Sequence, residues 1–236
     1  RDQGPVPRRD PVVAGASRRI GGVTAKTYLP IAGRPLILRT MDRVFSCQSV
    51  TEAVLVVSAG DIERCRHLLE ADSSLKNRPY VLQVGGATRQ QSVRHGLQRV
   101  NAGTDVVMIH DGARPFVSAT LIDRCVAAAV AHGAAVVGMP VRDTIKRVRK
   151  DGFVQSTPER AGLWEIQTPQ SFQRELIVAA HEWAARECIE ATDDAMVAER
   201  MGKAVFVVEG ERTNFKITVP EDLVVAEALI RAGVVT

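Results

Sequence analysis

The chain has 236 residues, of which 45% are hydrophobic and 25% charged, a composition typical of a globular protein long enough to bury a full core. Its formal net charge of +4 is mildly basic, and no run of lysine and arginine is long enough to indicate a nucleic-acid partner. Aromatic residues make up only 4%, which further argues against a base-stacking surface and leaves a small anionic ligand as the better match to the charge.

Short apolar segments alternate with amphipathic ones along most of the chain. Continuous apolar character is typical of strands that helices cover on both faces of a parallel sheet. Four such strands are predicted at 53–57, 105–109, 134–138 and 204–208, and a fifth strand is predicted at 80–84. Helical patterns lie at 35–47, 61–71, 88–100 and 118–132, and Gly133 closes the last of these as a C-cap.

Capping signals mark where two helices begin. Thr88 with Gln91 forms a predicted capping box, and Thr218 with Glu221 forms a second one that opens a last helix running to about residue 232. The alternation of strands and helices predicts a single α/β domain over residues 1–236, with a doubly wound, mostly parallel, Rossmann-like sheet. Ligands of such sheets bind outside the carboxyl ends of the strands.

One segment breaks this alternation. Residues 142–157 place a Lys150-Asp151-Gly152 turn between two segments of alternating character, which is typical of a β-hairpin. The hairpin is too polar for the core, so we expect it to project from the domain as an arm. A projecting hairpin exposes strand edges that a second copy of the chain can cover, which predicts a homodimer. A solvent-exposed flap is the alternative.

The loop that begins at Ala14 combines small residues with two cations. Gly15 and Ser17 allow the backbone to approach a ligand closely, and Arg19 and Lys26 supply positive charge. Backbone N–H groups can cradle phosphate oxygens while cations neutralise them, so this loop suits a triphosphate. An ordinary strand-to-helix turn explains the same residues and stays open as the alternative.

A second polar group follows the strand predicted at 80–84. Gly85 and Gly86 lead into a helix N-terminus, and the Ser92 hydroxyl lies one turn further on. Backbone N–H groups at such a turn can read a base edge or hold a phosphate. A plain turn and helix cap is the alternative.

A third group, His110 to Arg114, follows the strand predicted at 105–109. A carboxylate at the tip of a buried apolar strand is costly unless it binds a cation. Asp111 is therefore predicted to hold Mg²⁺ together with phosphate oxygens, and Arg114 is placed to bind a phosphate. An Asp–Arg surface pair is the alternative. His110 is interpreted as a packing residue, since transfer to a phosphate nucleophile needs no catalytic base.

Further hydroxyl and cationic groups follow in the second half of the chain. Thr144 lies on the hairpin, and Arg160 and Thr168 come after it, a combination that suits a sugar or polyol phosphate. Lys216 follows the last predicted strand and returns a lysine to the carboxyl edge of the sheet. Thr192 precedes two acidic residues at a predicted helix start, and its hydroxyl can face the site.

Cysteine usage and hydropathy predict the location. The four cysteines, Cys47, Cys65, Cys125 and Cys188, are scattered without a CxxC pair, which favours buried thiols over metal ligands or disulfides. This usage indicates a reducing, cytoplasmic location. No apolar run approaches the ~20 residues of a membrane span, and no secretory signal is visible at the N-terminus.

Taken together, these segments resemble the 2-C-methyl-D-erythritol 4-phosphate cytidylyltransferases of the non-mevalonate isoprenoid pathway. The resemblance runs from about residue 12 to about residue 230, with its landmarks in order: AGASRRIGGVTAK, GGATRQQSV, HDGARPFV, DTIK, ERAGLWEIQTPQSF, TDDA and NFKIT. The segment LWEIQTPQ, with Arg160 upstream, favours this family over the related ribitol 5-phosphate cytidylyltransferases, which stay open as an alternative. The family implies a Rossmann-like nucleotidyltransferase sheet.

The resemblance also implies a reaction, in which CTP and methylerythritol phosphate give the CDP-polyol and pyrophosphate. Arg19, Lys26 and Lys216 would stabilise the charge at the pentacoordinate phosphorus, and Mg²⁺ on Asp111 would bridge the phosphates. The implied CTP-binding residues are Ala14, Gly15, Gly86, Ala87, Ser92, Asp111 and Gly112. The implied polyol-phosphate residues are Arg114, Thr144, Arg160, Thr168 and Thr192, the first three reaching the site from a partner subunit of a homodimer.

The chain departs from the family pattern near the nucleotide. Ser17 and Ala25 stand where glycine and proline are usual, and Ala87 stands where an acidic residue is common. A nucleotide-binding relative with weak or no activity therefore stays open, as does a regulatory partner-binding module. A dinucleotide-dependent dehydrogenase is disfavoured because no GxGxxG follows the first strand. Prolines at positions 5, 7 and 11 also argue against a central strand at the start of the chain.

Overall fold

The computed structural model describes residues 9–14, 19–20, 24–48 and 50–235. The strands are β1 (Arg9–Ala14), β2 (Arg19–Ile20), β3 (Thr24–Ala25), β4 (Pro30–Ile31), β5 (Arg34–Pro35), β6 (Ala53–Val57), β7 (Tyr80–Val84), β8 (Val106–Asp111), β9 (Ala134–Pro140), β10 (Arg147–Val148), β11 (Val154–Ser156), β12 (Trp164–Gln173) and β13 (Phe206–Glu209). The helices are α1 (Leu36–Ser46), α2 (Ile62–Ala71), α3 (Arg89–Leu97), α4 (Ala119–His132), α5 (Arg174–Arg186), α6 (Asp194–Arg200) and α7 (Pro220–Arg231). Short 3₁₀ turns lie at Lys26–Tyr28 and Ala59–Asp61.

Within the described part of the chain, seven strands form the central sheet in the order β13-β9-β12-β8-β1-β6-β7. Its pairs are parallel except where β12 runs antiparallel between β8 and β9. This confirms the predicted α/β class and the mostly parallel sheet. β12 itself was not predicted, because its polar residues and proline do not have the composition of a core strand.

The first strand corrects an expectation, since β1 lies at the centre of the sheet despite Pro11. Its pairing with β8 covers residues 9–14, but its pairing with β6 begins only at Val12. At Pro11 the strand therefore needs a hydrogen-bonded neighbour on one side only, which a residue without an N–H tolerates.

Alternate side chains of the inner strands build a core on each face of the sheet. Leu55 and Met108 pack with α1, α2 and α4 in one cluster, whereas Val54 and Ile109 pack with α3, α5 and α6 in another. Successive strand residues point to opposite faces, so a strand covered on both sides is apolar throughout. This is the physical basis of the doubly wound prediction.

The two outermost strands are less buried than the inner ones. The segment 204–208 was predicted as a strand buried on both faces, and this is wrong: β13 is an edge strand in which the Phe206 side chain is 46% exposed. Apolar sequence alone does not distinguish an edge strand from a central one, because the composition of β13 resembles that of the inner strands.

The predicted hairpin is confirmed as an arm. β10 and β11 pair antiparallel around a turn in which Gly152 adopts a φ of +87°, a conformation that favours glycine. The stem of the arm continues the sheet, where Trp164 of β12 pairs with Pro140 of β9. Val148, Phe153 and Val154 on the arm are each more than half exposed, at 55%, 67% and 57%.

Both predicted helix caps need revision in detail. The Thr88 hydroxyl accepts the Gln91 backbone N–H as predicted. The side-chain oxygen Oε1 of Gln91, however, accepts the Ala87 N–H rather than the Thr88 N–H. In α7 the prediction that Glu221 closes the box is wrong. Because Pro220 is the first helical residue, the third position is Asp222, whose carboxylate accepts the N–H groups of Thr218 and Val219.

Two further sequence expectations concern hydropathy and thiols. No helix in the described ranges is long and apolar enough to cross a membrane. Cys47, Cys65 and Cys125 are buried free thiols, whereas Cys188 is exposed, so the expectation of a buried thiol is wrong for Cys188. Cys188 follows α5 at a positive φ of 53°, in the turn that ends the helix.

Candidate active site

Asp111 ends β8 at the carboxyl edge of the sheet, in the middle of the strand order. The parallel register pairs Asp111 with Ala14, the last residue of β1. Strand β1 therefore ends beside the Asp111 backbone. Gly15 and Ser17 lie outside the described residues, and of Arg19 the structure describes the backbone in β2.

Three cationic side chains surround the Asp111 carboxylate. Lys216 Nζ lies 2.9 Å from Oδ2, and Arg114 Nε lies 3.5 Å from the same oxygen. Arg89 Nε lies 3.6 Å from Oδ1. Two of these residues, Arg114 and Lys216, were predicted at this edge of the sheet from separate motifs, and the structure brings both to Asp111.

The charges around Asp111 keep it ionised. Burial by itself raises the pKa of this carboxyl, because the side chain is only 10% exposed. The positive charges of Lys216, Arg89 and Arg114 outweigh burial and lower the pKa to about 2. Asp111 therefore stays charged at neutral pH, but three cations surround its single carboxylate. The cluster carries surplus positive charge, which suits a polyanion.

A second set of hydrogen bonds holds the end of β8 in place. The Thr168 hydroxyl accepts the Asp111 N–H at 3.0 Å and donates to His110 Nδ1 at 3.0 Å. His110 Nε2 in turn donates to the Arg114 carbonyl oxygen at 3.1 Å, a pattern that assigns the imidazole proton to Nε2. Burial lowers the pKa of His110 to about 4, so the ring is neutral and well suited to the packing role predicted for it.

Thr168 was predicted to line the polyol-phosphate pocket. The residue lies next to Asp111, but its side chain is nearly buried and its hydroxyl already joins two partners. Asn214 donates to the Thr168 carbonyl oxygen at 2.8 Å and thereby ties the Lys216 segment to the same strand end. The hydroxyl of Thr168 thus holds in place the end of β8, which carries Asp111.

Sequence reasoning missed a buried ion pair behind Asp111. Arg89 Nη2 donates to Asp194 Oδ2 at 2.7 Å, and His181 Nε2 lies 3.1 Å from Asp194 Oδ1. Asp194 and His181 are each 1% exposed. One signal was available: Arg89 opens α3, where the helix dipole disfavours a cation unless an acidic partner compensates.

The glycine turn after β7 folds back closely on α3. Ser92, buried beneath the turn, accepts the Gly86 N–H at 3.1 Å, and Gln91 accepts the Ala87 N–H at 2.9 Å. A Cβ on Gly86 would lie 2.5 Å from the Gln91 Cβ, so only glycine fits this position without a shift. The turn therefore presents a compact backbone surface, which is what the predicted nucleotide contact needs.

Lys26 begins the 3₁₀ turn at Lys26–Tyr28 and is 7% exposed. Its charge contributes to lowering the pKa of Asp222, although burial and the hydrogen bonds from Val219 and Thr218 have larger effects on that group. Lys26 therefore lies near the start of α7, and α7 begins four residues after Lys216. Its predicted catalytic role stays a prediction.

Two predicted polyol-phosphate residues, Thr144 on the arm and Arg160 after it, form no hydrogen bond or ion pair with Asp111 within the described part of the chain. Thr144 and Arg160 are exposed, and Arg160 Nη1 donates to the Arg142 carbonyl oxygen within the arm. Thr192 is exposed beside α6, where Asp193 is the N-cap and accepts the Met196 N–H at 2.8 Å. Gly112, next to Asp111, is buried.

The acidic residues of the site are suited to a metal ion that a nucleotide brings. Over the ranges that the structure describes, no group of three or more His, Cys, Asp or Glu side chains forms a metal cage. Mg²⁺ commonly takes one or two carboxylates and completes its shell with phosphate oxygens and water. The single carboxylate of Asp111, surrounded by lysine and arginine, fits that donor set.

A mostly parallel, doubly wound sheet whose central strand ends in a carboxylate flanked by lysine and arginine defines an α/β enzyme of the nucleotidyltransferase class. The sequence matches the family described as 2-C-methyl-D-erythritol 4-phosphate cytidylyltransferase over residues 12–232. The chain belongs to this family.

Individual relatives support the assignment. The 2-C-methyl-D-erythritol 4-phosphate cytidylyltransferase of Caldanaerobacter subterraneus subsp. tengcongensis is 43% identical over 220 residues, covering 93% of this chain and 96% of that protein. The enzyme of the same name from Geobacter metallireducens is 44% identical over 224 residues, covering 92% and 94%. These matches confirm the resemblance and the predicted enzyme class.

Solved structures agree with the fold. The 4-diphosphocytidyl-2C-methyl-D-erythritol synthase of Anaerococcus prevotii has a TM-score of 0.84 at 29% identity, covering 95% of this chain and 96% of that one. The 2-C-methyl-D-erythritol 4-phosphate cytidylyltransferase of Thermus thermophilus has a TM-score of 0.75 at 35% identity, covering 94% and 98%. The Rossmann-like nucleotidyltransferase sheet is thereby confirmed.

Proposed function

We propose that this chain transfers a cytidylyl group from CTP to 2-C-methyl-D-erythritol 4-phosphate in isoprenoid precursor synthesis. A phosphate oxygen of the polyol attacks the α-phosphorus of CTP, a new P–O bond forms, and the bond to the β-phosphate oxygen breaks to release pyrophosphate. The observation that carries this proposal is the cluster of Lys216, Arg114 and Arg89 around Asp111 at the carboxyl edge of the sheet. Membership of the family supports the choice of both substrates.

The roles of the cations follow from charge. Two phosphates repel each other as they approach, and the pentacoordinate phosphorus spreads negative charge over its oxygens. Lys216 is held at the strand end by its contact with Asp111, so its charge is in place before the reaction begins. Arg19 and Lys26 are proposed to act on the same charge from the loop that follows β1, and Arg114 to bind the polyol phosphate.

Asp111 is proposed to hold Mg²⁺ when the nucleotide is bound. The ion would supply charge neutralisation between the phosphates of CTP, which is the usual chemistry of Mg²⁺ at nucleotide sites. Ala14, Gly15, Gly86, Ala87, Ser92 and Gly112 are proposed to hold the nucleotide. The closed turn at Gly86 supports this assignment because it offers backbone at close range.

The arm is proposed to pair two copies of the chain. Phe153, Val154 and Val148 expose apolar surface that a monomer leaves in water. Thr144 lies exposed on this arm and Arg160 lies exposed just after it, so a partner's arm is the proposed route by which they reach a polyol phosphate, with Thr168 and Thr192 lining that pocket. A cytoplasmic location, argued from cysteine usage, completes the proposal.

The direct test is pyrophosphate release by purified protein with CTP, Mg²⁺ and 2-C-methyl-D-erythritol 4-phosphate. We expect release well above a control without enzyme, and little release when ribitol 5-phosphate replaces the substrate. Folded protein that releases no pyrophosphate would contradict the proposal and favour the inactive-relative hypothesis. Equal or greater release with ribitol 5-phosphate would favour the alternative substrate.

The arm is tested separately by sedimentation. We expect wild-type protein to sediment as a dimer and Phe153→Asp to shift the population toward monomer, because a charge would be buried in an apolar contact. Glu159→Gln, at an exposed position just after the arm, is the control. A wild-type protein that stays monomeric at high concentration would contradict the pairing.

A further inference from the structure

The two oxygens of the Asp111 carboxylate have different surroundings. Oδ2 lies 2.9 Å from Lys216 Nζ and 3.5 Å from Arg114 Nε. Oδ1 faces Arg89 Nε at 3.6 Å, which is too long for a hydrogen bond. Among the residues that the structure describes, no hydrogen bond reaches Oδ1. Of the two oxygens, Oδ1 is therefore the one whose lone pairs are left for a metal ion.

Arg89 is held away from Oδ1 by a stronger partner. Its Nη2 donates to Asp194 Oδ2 at 2.7 Å, a charge-assisted hydrogen bond in a buried setting. The guanidinium thus lies between two carboxylates, docked on Asp194 and in Coulombic contact with Asp111.

Asp194 is itself fixed from three sides. His181 of α5 contacts its Oδ1 at 3.1 Å, and the Gln170 side chain accepts the backbone N–H groups of Asp194 and Ala195 at 3.1 and 3.0 Å. Helices α3 and α5 therefore contact the Asp194 carboxylate, and strand β12 holds the Asp194 backbone at the start of α6. Such a group has little freedom to follow Arg89 if the guanidinium moves.

We propose that Asp194 is a positioning residue, which holds Arg89 on its own carboxylate and thereby keeps Oδ1 of Asp111 open to the metal ion. A guanidinium released 3.6 Å from a second carboxylate forms a bidentate pair with it, because the fork of N–H donors matches both oxygens. That pair would occupy Oδ1 and exclude the ion. This inference rests on the proposed function, since it takes Asp111 as the metal ligand.

The test measures metal binding without turnover. Mn²⁺ serves as the probe, and its free concentration is read by electron paramagnetic resonance without polyol phosphate. CTP is present at a concentration that saturates each variant, because Arg89 belongs to the cation cluster that is proposed to bind the triphosphate. We expect Asp194→Asn to weaken Mn²⁺ binding by about tenfold or more, the usual effect of losing a hydrogen bond between charged groups. Glu199→Gln is the matched control, because it removes the same charge from an exposed position of the same helix.

A double variant separates positioning from a general loss of charge or packing. If Asp194 acts through Arg89, removing both groups in Arg89→Met/Asp194→Asn removes the competitor as well, and Mn²⁺ affinity returns to the wild-type value or above. A double variant that binds Mn²⁺ more weakly than wild type overturns the proposal. Because the double variant leaves no unpaired charge in this pair, it decides the question even where Asp194→Asn alone fails to fold.

Asp111→Asn distinguishes this inference from the proposed function. We expect this variant to lose the CTP-dependent Mn²⁺ site. If it binds Mn²⁺ as wild type does, the metal role of Asp111 is wrong and the inference is overturned with it. If Asp111→Asn loses the site while folded Asp194→Asn keeps wild-type affinity, only the positioning role of Asp194 is overturned.

Discussion

Lys216→Met removes the cation closest to Asp111 and leaves a side chain of similar length. A unit charge about 4 Å from another is worth about 4 kcal/mol at an effective dielectric constant of about 20. The Lys216 side chain is 36% exposed, and solvent screening reduces this figure. We therefore expect a loss of about 3 kcal/mol of transition-state stabilisation, or about 10²-fold in turnover.

The assay is pyrophosphate release at saturating CTP and polyol phosphate, so that turnover is measured separately from binding. Lys203→Met, at an exposed position in the turn after α6, is the matched control and should keep wild-type turnover. Lys216→Arg keeps the charge and should recover part of the rate. Turnover of Lys216→Met within about threefold of wild type would contradict a transition-state role for Lys216, since such a change corresponds to less than about 1 kcal/mol.

Three further predictions concern pH, packing and the glycine turn. The pKa of Asp111 in the folded protein is about 2 rather than 3.8, so its charge contributes about 2 kcal/mol to the free energy of unfolding above pH ~4. This contribution is lost as the pH falls toward ~2, and Asp111→Asn should therefore lose less stability than wild type over that range. An identical dependence of stability on pH in the two proteins would contradict this prediction. Phe172→Ala should lower the free energy of unfolding in urea by about 3–5 kcal/mol, since Phe172 is fully buried; a loss below about 1 kcal/mol would count against this packing. Gly86→Ala should weaken CTP binding, measured by calorimetry, because its Cβ would meet the Gln91 side chain. Gly60→Ala is the control and should keep wild-type affinity, because a Cβ there meets nothing within 4 Å. Equal CTP affinities of the two variants would contradict a close approach of the Gly86 backbone to the nucleotide.

The sequence predicted the inner strands well because a strand buried on both faces needs a continuous run of apolar residues. Strand β6 is apolar at every position and β8 is apolar from Val106 to Ile109, and α4 ends at a glycine with a positive φ, as its C-cap predicted. It predicted β12 poorly for the opposite reason. That strand joins an exposed half on the arm stem to a buried half in the sheet, so its composition follows neither pattern.

The sequence predicted the charged site residues that lie at strand ends and missed those that lie on helices. Asp111 and Lys216 both follow apolar strands, and the topology of a doubly wound sheet then brings them to one edge. Arg89, His181 and Asp194 lie on three helices that are far apart along the chain. No local pattern pairs such residues, because their contact depends on how the helices pack on the sheet.

The central claim is that the cations around Asp111 gather about one triphosphate and its metal ion. A crystal structure with CTP and Mn²⁺, with the ion located by its anomalous scattering, tests it most directly. We expect one ion on Oδ1 of Asp111 at ~2.1 Å, with phosphate oxygens within hydrogen-bond distance of Lys216. A triphosphate bound elsewhere, with Lys216 still in contact with Asp111 and no ion on that carboxylate, would contradict this proposal.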